Sequence, residues 1–263
     1  MFTRAIVRPP APSFAEGLTT AGLGAPDYEL AIKQHEAYCA ALERCGLALT
    51  RLEPDQDYPD STFVEDVAIV TDAFAILTRP GAPSRAGEVE SMQETLANFF
   101  EKVFEIEAPG TLDGGDICQA GDHFFIGISK RTNEAGASQL GEFLKQSGYA
   151  STLIDIRKSV PGARATGSLL HLKSGIAYLG DNRLVIVESL TSQKDFAGYN
   201  LVRVDQAESY AANCIRVNNH VIIASGYPKF AAQLQELGYQ TIALDMSEFR
   251  KMDGGLSCLS LRF

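Results

Sequence analysis

The sequence predicts an α/β chain folded as a propeller-like ring of five repeated units. Three observations carry this prediction. A strand, a tight turn and a second strand, often followed by a helix and a return strand, recur along the chain. The spacing is long: Asp66 to Asp116 is 50 positions and Asp116 to His171 is 55, the scale of repeated supersecondary units. The last unit is half present at the C-terminus, and the N-terminal strand Ala5–Arg8 completes it, closing the ring with no exposed edge. The alternative is an ordinary α/β chain whose turns merely look alike.

The first unit opens at Phe63-Val64-Glu65-Asp66, with strands at Val67–Val70 and Phe74–Leu77 around a turn at Thr71-Asp72. A Pro/Gly-rich loop from Arg79 to Gly87 precedes a helix near Glu88–Phe100, and Val103–Ile106 returns. The second opens at Asp113-Gly114-Gly115-Asp116, turns at Gly121-Asp122 into His123–Ile128, and carries a helix over about Asn133–Gln146 that Gly148 stops. The third runs from His171 through Ile176–Leu179, the turn Gly180-Asp181-Asn182 and Leu184–Val187. The fourth starts near Ala212-Asn213-Cys214, with strands at Ile215–Val217 and Val221–Ala224. Pro228 and Gly238 bracket its helix, and Gln240–Leu244 returns. The half-unit Gly254–Leu261 ends the chain.

Bulk properties exclude several classes of function. The 263 residues are 45% hydrophobic and 21% charged, ordinary values for a soluble globular chain. No apolar run approaches the roughly 18 residues of a membrane span, and the N-terminus lacks the pattern of a signal peptide. The cytoplasm is the expected compartment. The five cysteines have no framework spacing and the four histidines no ligand-pair spacing, so no disulfide scaffold, metal or cofactor is expected. A formal charge of −10 argues against nucleic acid and anionic membrane as partners, and mildly favours small cationic substrates.

The repeat brings chemistry together. Glu65, Asp66, Asp113, Asp116, His171, Asn213 and Cys258 occupy equivalent places at the start of the first strand of each unit. In a closed ring these places converge on the axis. Alone, Cys258 reads as a small buried hydrophobe and His171 as a structural histidine. Together they form a candidate nucleophile and proton shuttle. Gly254 and Gly255, just before Cys258, permit close approach of a ligand, and Ser257, Ser260 and the alternating leucines fit a strand with one polar face. His35 and His123 are assigned to structure, and His220 to a solvated turn. Glu65-Asp66 within an apolar strand is either a solvated strand end or a site for a guanidinium, whose planar donor fork matches carboxylates. Of the loop arginines Arg79, Arg85 and Arg131, two can clamp a carboxylate.

Seven segments in order carry a further inference: Glu16–Thr19 (EGLT), Pro59–Asp66 (PDSTFVED), Thr111–Asp116 (TLDGGD), Ser129–Asn133 (SKRTN), His171–Gly175 (HLKSG), Tyr210–Cys214 (YAANC) and Met252–Cys258 (MDGGLSC). Together they resemble the dimethylarginine dimethylaminohydrolases of the guanidino-group-modifying (pentein) superfamily over nearly the whole chain. The resemblance implies a pseudo-symmetric five-bladed α/β propeller of ββαβ modules, with residues 1–263 as one catalytic domain. It implies Cys258 as nucleophile, His171 as proton donor and acceptor, and Asp113 as the acid that orients the histidine, a place where some members carry Glu. It further implies Glu65 and Asp66 on the guanidinium, Asp60 and the Leu18 carbonyl on the α-amino group, and Arg85 with Arg131 on the α-carboxylate. Met252-Asp253 would close the remaining wall. The partner is then a methylated arginine, turned over to citrulline and an amine through a covalent thiouronium. A homodimer is left open.

Two features set this chain apart within that resemblance. Residues Arg157–Ser168 (RKSVPGARATGS) form a loop-like stretch before His171, whose length varies in the family and bears on substrate access. Glu16–Gly24, with three glycines, reads as a mobile lid. The nearest rival is an arginine deiminase. Those enzymes carry an Asp two residues after the catalytic His, where this chain has Lys173, and an inserted helical domain for which it is too short. A non-catalytic module that binds arginine-like ligands is the rival of another class.

Overall fold

The computed structural model describes residues 1–157 and 169–263. The chain opens with β1 (Arg4–Val7), a 3-10 turn at Pro12–Glu16, helix α1 (Tyr28–Arg44) and β2 (Ala48–Arg51). β3 (Ala68–Val70) and β4 (Ala75–Leu77) then lead to α2 (Glu88–Ala97) and β5 (Val103–Glu105). β6 (Ile117–Ala120) and β7 (His123–Ile128) lead to α3 (Glu134–Gln146) and β8 (Ala150–Asp155). In the next unit, β9 (Ile176–Gly180), β10 (Arg183–Val187) and β11 (Asn200–Val204), 3-10 turns at Glu188–Leu190 and Lys194–Phe196 stand in place of a helix. β12 (Ile215–Val217), β13 (His220–Ala224), α4 (Pro228–Glu236) and β14 (Gln240–Leu244) follow. Helix α5 (Ser247–Lys251) and β15 (Leu261–Arg262) complete the chain.

Each unit is a three-stranded sheet with one topology, the first strand antiparallel to the second and the second parallel to the third. A parallel pair needs a crossover connection, which a helix provides in four units and the two 3-10 turns provide between β10 and β11. The fifth sheet follows the same rule with β15 first: β15 is antiparallel to β1, Ala5 lying opposite Arg262, and β1 is parallel to β2. The two ends of the chain thus meet in one sheet, and the structure is a five-module α/β propeller.

Local sequence explains the elements. Asn133 caps α3 by accepting from the Gly136 amide, and Gly148 takes the left-handed φ of 87° after the helix ends. Leu140 and Leu144 bury the inner face of that helix. The β9–β10 hairpin turns on Asp181 and Asn182 at φ 50° and 57°, the left-handed conformation that short polar side chains tolerate.

The expectation of a ring without edges needs correcting. The sheets remain separate, and neighbouring units meet by side-chain packing. Ile6 and Leu261 of the closing sheet pack with Val67 and Met92 of the first unit, and Ile76 packs with Ile126 of the second. Phe125, Val185 and Ile223 link the second, third and fourth units, and Ile222 packs with Ala5 and Phe14 to close the circle.

A second correction concerns the inner rim. Glu65 and Asp66 lie on a 3-10 turn (Val64–Val67) and Cys258 on another (Ser257–Leu259), where strands were expected. Neighbouring residues on a strand point to opposite faces, whereas about three residues complete a 3-10 turn. The turn therefore lets Glu65 and Asp66 serve one rim together. His220 is likewise no solvated turn residue: it opens β13, half-buried, with a buried Nδ1 that has no partner among the described residues. His35 and His123 lie in α1 and β7 as expected. Of the variable stretch before His171, residues 158–168 lie outside the described residues.

Candidate active site

The short turns that precede the inner strands adjoin one another around the axis. The turn at Val64–Val67 meets those at Ser257–Leu259 and Gly114–Asp116, and the latter meets Leu172–Ser174. Equivalent positions far apart in sequence are thereby collected on one rim.

The imidazole is held by acids. His171 Nε2 lies 3.1 Å from Asp113 Oδ2, and the other Asp113 oxygen accepts from the Gly81 amide at 2.8 Å. Gly115 makes room for the ring: a Cβ there would stand 2.8 Å from His171 Nδ1 and 2.8 Å from Asp66 Oδ1. Burial by itself pulls the His171 pKa down, but Asp66, the hydrogen bond to Asp113, and Asp116 outweigh it and raise the pKa to about 9. Asp66 is held below the usual carboxylate range. Burial opposes its ionisation, but His171, Arg85 and the Gly115 amide prevail.

This predicts a pH effect on stability. A raised histidine pKa stabilises the fold fully below the unfolded value near 6.5, and that contribution is lost as pH rises through about 9. Urea unfolding is expected to show stability declining across this window, by up to about 3 kcal/mol. His171→Ala should flatten the slope; an equal slope in that variant would assign it to other groups.

The other side of the rim carries Glu65 and Cys258. Glu65 Oε1 is ion-paired with Lys173 Nζ, with Arg262 Nη2 3.9 Å away, and Oε2 accepts from Ser257 Oγ at 2.7 Å. Cys258 is half-buried, and its amide donates to the Gly255 carbonyl. Burial, followed by the charges of Glu65 and Asp66, pushes its thiol up to about 12. A backbone hydrogen bond from Gly255 works the other way and favours the thiolate. Among the described residues no hydrogen bond joins Cys258 Sγ to His171, so nucleophile and imidazole are not directly paired as in a Cys–His dyad.

The remaining residues named from sequence form the approach to the rim. Both Asp60 oxygens accept from the Leu18 amide at 3.1 Å, and Asp60 titrates above the ordinary value because it is buried. A Cβ on Gly17 would lie 2.5 Å from Asp60 Oδ1 and 3.2 Å from Met252 Cε, so glycine lets the segment close down here. Asp253, with a left-handed φ of 57°, accepts from the Thr20 amide and hydroxyl. The expected Gly-rich lid is thus fastened at Leu18 and Thr20, and its Leu18 and Leu23 side chains are exposed.

The two arginines differ. Arg131 is half-buried, and its guanidinium makes no hydrogen bond or ion pair among the described residues. Arg85 is not an open loop arginine. It is 5% exposed and binds Asp66, Glu88 and the carbonyls of Asp60 and Phe63, which leaves one Nη1 hydrogen uncommitted among the described residues.

The repeat places Asp116 on the rim but gives it no role, and the sequence does not show the partner of Lys173. Asp116 is fully buried and holds Ser129, Thr132 and the Leu172 amide, a scaffold for the histidine turn. Lys173 was noted only as a departure from deiminases; its pairing with Glu65 depends on the ring. A cavity of 540 Å³ runs along the inner strands to Glu65, Lys173 and Ser257, but Asp60, Asp66, Asp113, His171 and Cys258 do not line it. Asp66, Asp113 and His171 offer ligand atoms within 4.8 Å of one another, close enough for a metal. A histidine protonated near neutral pH, between acids already engaged with Arg85 and Gly81, fits an ion-pair cluster better.

Five three-stranded modules in a ring, four of them with a helix before the last strand, and a cysteine, a histidine–aspartate pair and two further acids on the inner turns, define a member of the pentein superfamily. Residues 56–199 match the arginine deiminase family model. The chain is 47% identical, over the full length of both, to N(G),N(G)-dimethylarginine dimethylaminohydrolase of Pseudomonas aeruginosa. Its identity to the enzyme of that name from Streptomyces coelicolor is 34%, over 98% of this chain and 96% of the other. The solved structure of a cysteine-to-serine mutant of the P. aeruginosa protein, complexed with citrulline, superposes with a TM-score of 0.94 at 46% identity over the whole of both chains. The chain belongs to the dimethylarginine dimethylaminohydrolase family.

Proposed function

We propose that the chain hydrolyses Nω-methylated L-arginine to L-citrulline and a methylamine, with Cys258 as nucleophile and His171 as proton donor and acceptor. The observation that carries this is the gathering of Cys258, the His171–Asp113 pair and Glu65 with Asp66 on one rim, in a chain 47% identical to such an enzyme. A planar cation inserted between cysteine and histidine meets carboxylates on its edge, and the backbone hydrogen bond from Gly255 favours the thiolate that attacks. Asp60 and the Leu18 carbonyl receive the α-amino group. Arg131 and the remaining Nη1 hydrogen of Arg85 receive the α-carboxylate, and Met252-Asp253 close the wall.

The chemistry follows from the charges. With the site empty, the thiol is neutral and the imidazole protonated. The guanidinium offsets Glu65 and Asp66, the groups that help suppress the thiolate, and Cys258 ionises, its proton passing to solvent. The sulfur bonds to the guanidinium carbon, His171 gives its proton to the departing dimethylamine, and the C–N bond breaks to leave a thiouronium. Water attacks that carbon while His171 takes one of its protons, the C–S bond breaks as a second proton returns to the Cys258 sulfur, and citrulline leaves. Lys173 supports the methylated substrate over arginine: a cation pairs with Glu65 where a deiminase offers another carboxylate.

Release of citrulline and dimethylamine from asymmetric dimethylarginine, with arginine and agmatine as controls, tests the proposal. Preference for arginine would turn it into a deiminase, and no turnover of any of them would leave a binding module. One prediction is specific to the charge argument: a bound cationic, unreactive arginine analogue should lower the Cys258 pKa from about 12, read by thiolate absorbance at 240 nm. An unchanged titration would remove the guanidinium from the activation step. Free thiols on all five cysteines favour a reducing, cytoplasmic setting, and no helix among the described residues is long and apolar enough to cross a membrane.

A further inference from the structure

Asn213 opens the fourth unit at the place that Cys258, His171 and Asp113 occupy in theirs. It is 7% exposed, and its amide is fully used. Nδ2 donates to the Lys173 carbonyl and to Ser257 Oγ, both at 3.1 Å, and Oδ1 accepts from the Ser257 amide at 2.9 Å. Backbone groups at both ends fix the orientation, because a carbonyl only accepts and an amide N–H only donates. Ser257 Oγ therefore receives a hydrogen from Asn213, and its own goes to Glu65 Oε2 at 2.7 Å. Lys173 Nζ on Glu65 Oε1 returns the chain to its start. The result is a closed circuit through Lys173, Asn213, Ser257 and Glu65, one residue from each of four units.

Each member stands beside the chemistry. Lys173 is two residues from His171, Ser257 precedes Cys258, and Glu65 faces the guanidinium in the proposed function, on which this step rests. The seat is specific as well as occupied: a Cβ on Gly255 would fall 2.6 Å from Asn213 Cγ and Oδ1, so glycine there admits the amide. We infer that Asn213 is a positioning residue, which sets the donor direction of the Ser257 hydroxyl toward Glu65 and ties the nucleophile turn to the histidine turn.

The inference separates two variants. Ser257→Ala removes the donor to Glu65 but keeps the Ser257 amide on Asn213. Asn213→Asp, nearly isosteric, cannot donate to the Lys173 carbonyl and draws the Ser257 hydroxyl to itself, so Glu65 loses its donor and the two turns lose their tie.

Dimethylarginine affinity is measured by calorimetry on a Cys258→Ser background, and turnover on the otherwise native chain. Ser257→Ala is expected to weaken binding roughly tenfold with kcat within about threefold, a hydrogen bond to a charged group being at stake. Asn213→Asp is expected to weaken binding at least as much and to lower kcat a further tenfold or more. The double variant should bind no worse than Asn213→Asp alone, since both remove the same donor. Unchanged affinity in Ser257→Ala, or additive losses in the double variant, would overturn the inference, and Ser257→Ala alone decides it should Asn213→Asp fail to fold. Absence of wild-type turnover with these binding shifts intact would count against the proposed reaction and not the circuit.

Discussion

Replacing Cys258 by serine is expected to lower dimethylarginine turnover by a factor on the order of ten thousand or more, while leaving substrate affinity within a few-fold. The loss is large because the step needs an anion. The site offers a route to a thiolate, through a cation that offsets Glu65 and Asp66, but offers none to an alkoxide. No neutral base is at hand either, since Asp66 and Asp113 keep His171 protonated up to a pH of about 9. Single-turnover kinetics with mass spectrometry reads both results: the native chain should accumulate an adduct on Cys258, and the variant none. Turnover of the serine variant within tenfold of native would move the nucleophile elsewhere.

The second large effect concerns stability. Arg85→Met is expected to cost about 3–5 kcal/mol, because it strands buried acids. Asp66 and Glu88 are 3% and 2% exposed, and Arg85 binds both. Asp66 retains the Gly115 amide and the charge of His171, whereas Glu88 keeps the charge of Arg8 but loses both its side-chain hydrogen bonds to Arg85, and burial already raises its pKa. The midpoint of thermal unfolding should fall by on the order of 10 °C. Glu88→Gln added to Arg85→Met should recover part of the loss by removing one of the two charges. No recovery would mean that the arginine acts mainly through Asp66 and the carbonyls of Asp60 and Phe63.

Arg85 also shows where a sequence stops being readable. Its segment reads as a Pro/Gly-rich loop after the second strand, where the structure also has it, and a loop arginine is ordinarily solvated. Whether it is buried depends on Asp66, Glu88 and two carbonyls that reach it from the first unit's rim and helix, and no local pattern encodes that. Lys173 is a similar case, since its partner Glu65 lies 108 positions away. The convergence of His171 and Asp113 on one rim is legible because both occupy a repeat position, while the pairing of the two comes from the family resemblance and not from the period.

The rim was mistaken locally for a related reason. Glu65-Asp66, flanked by the apolar Phe63-Val64 and Val67, and the alternating leucines of the half-unit Gly254–Leu261 both read as strand. Val64–Val67 and Ser257–Leu259 are 3-10 turns instead, which keep adjacent side chains on the rim where a pleat would send them to opposite faces.

The five units, their order, the sharing of the last sheet between both termini, and the convergence of Cys258, His171 and the acids are legible in the order of residues. These follow from periodicity, turn residues and the composition of short strands, all of which act within one unit or repeat between units. Tertiary structure alone decided the protonation states and the partners: a thiol held neutral, an imidazole held charged, an arginine locked inward, and the circuit through Asn213. Those properties are set by burial and by the field of groups from several units, and both exist only once the ring has closed.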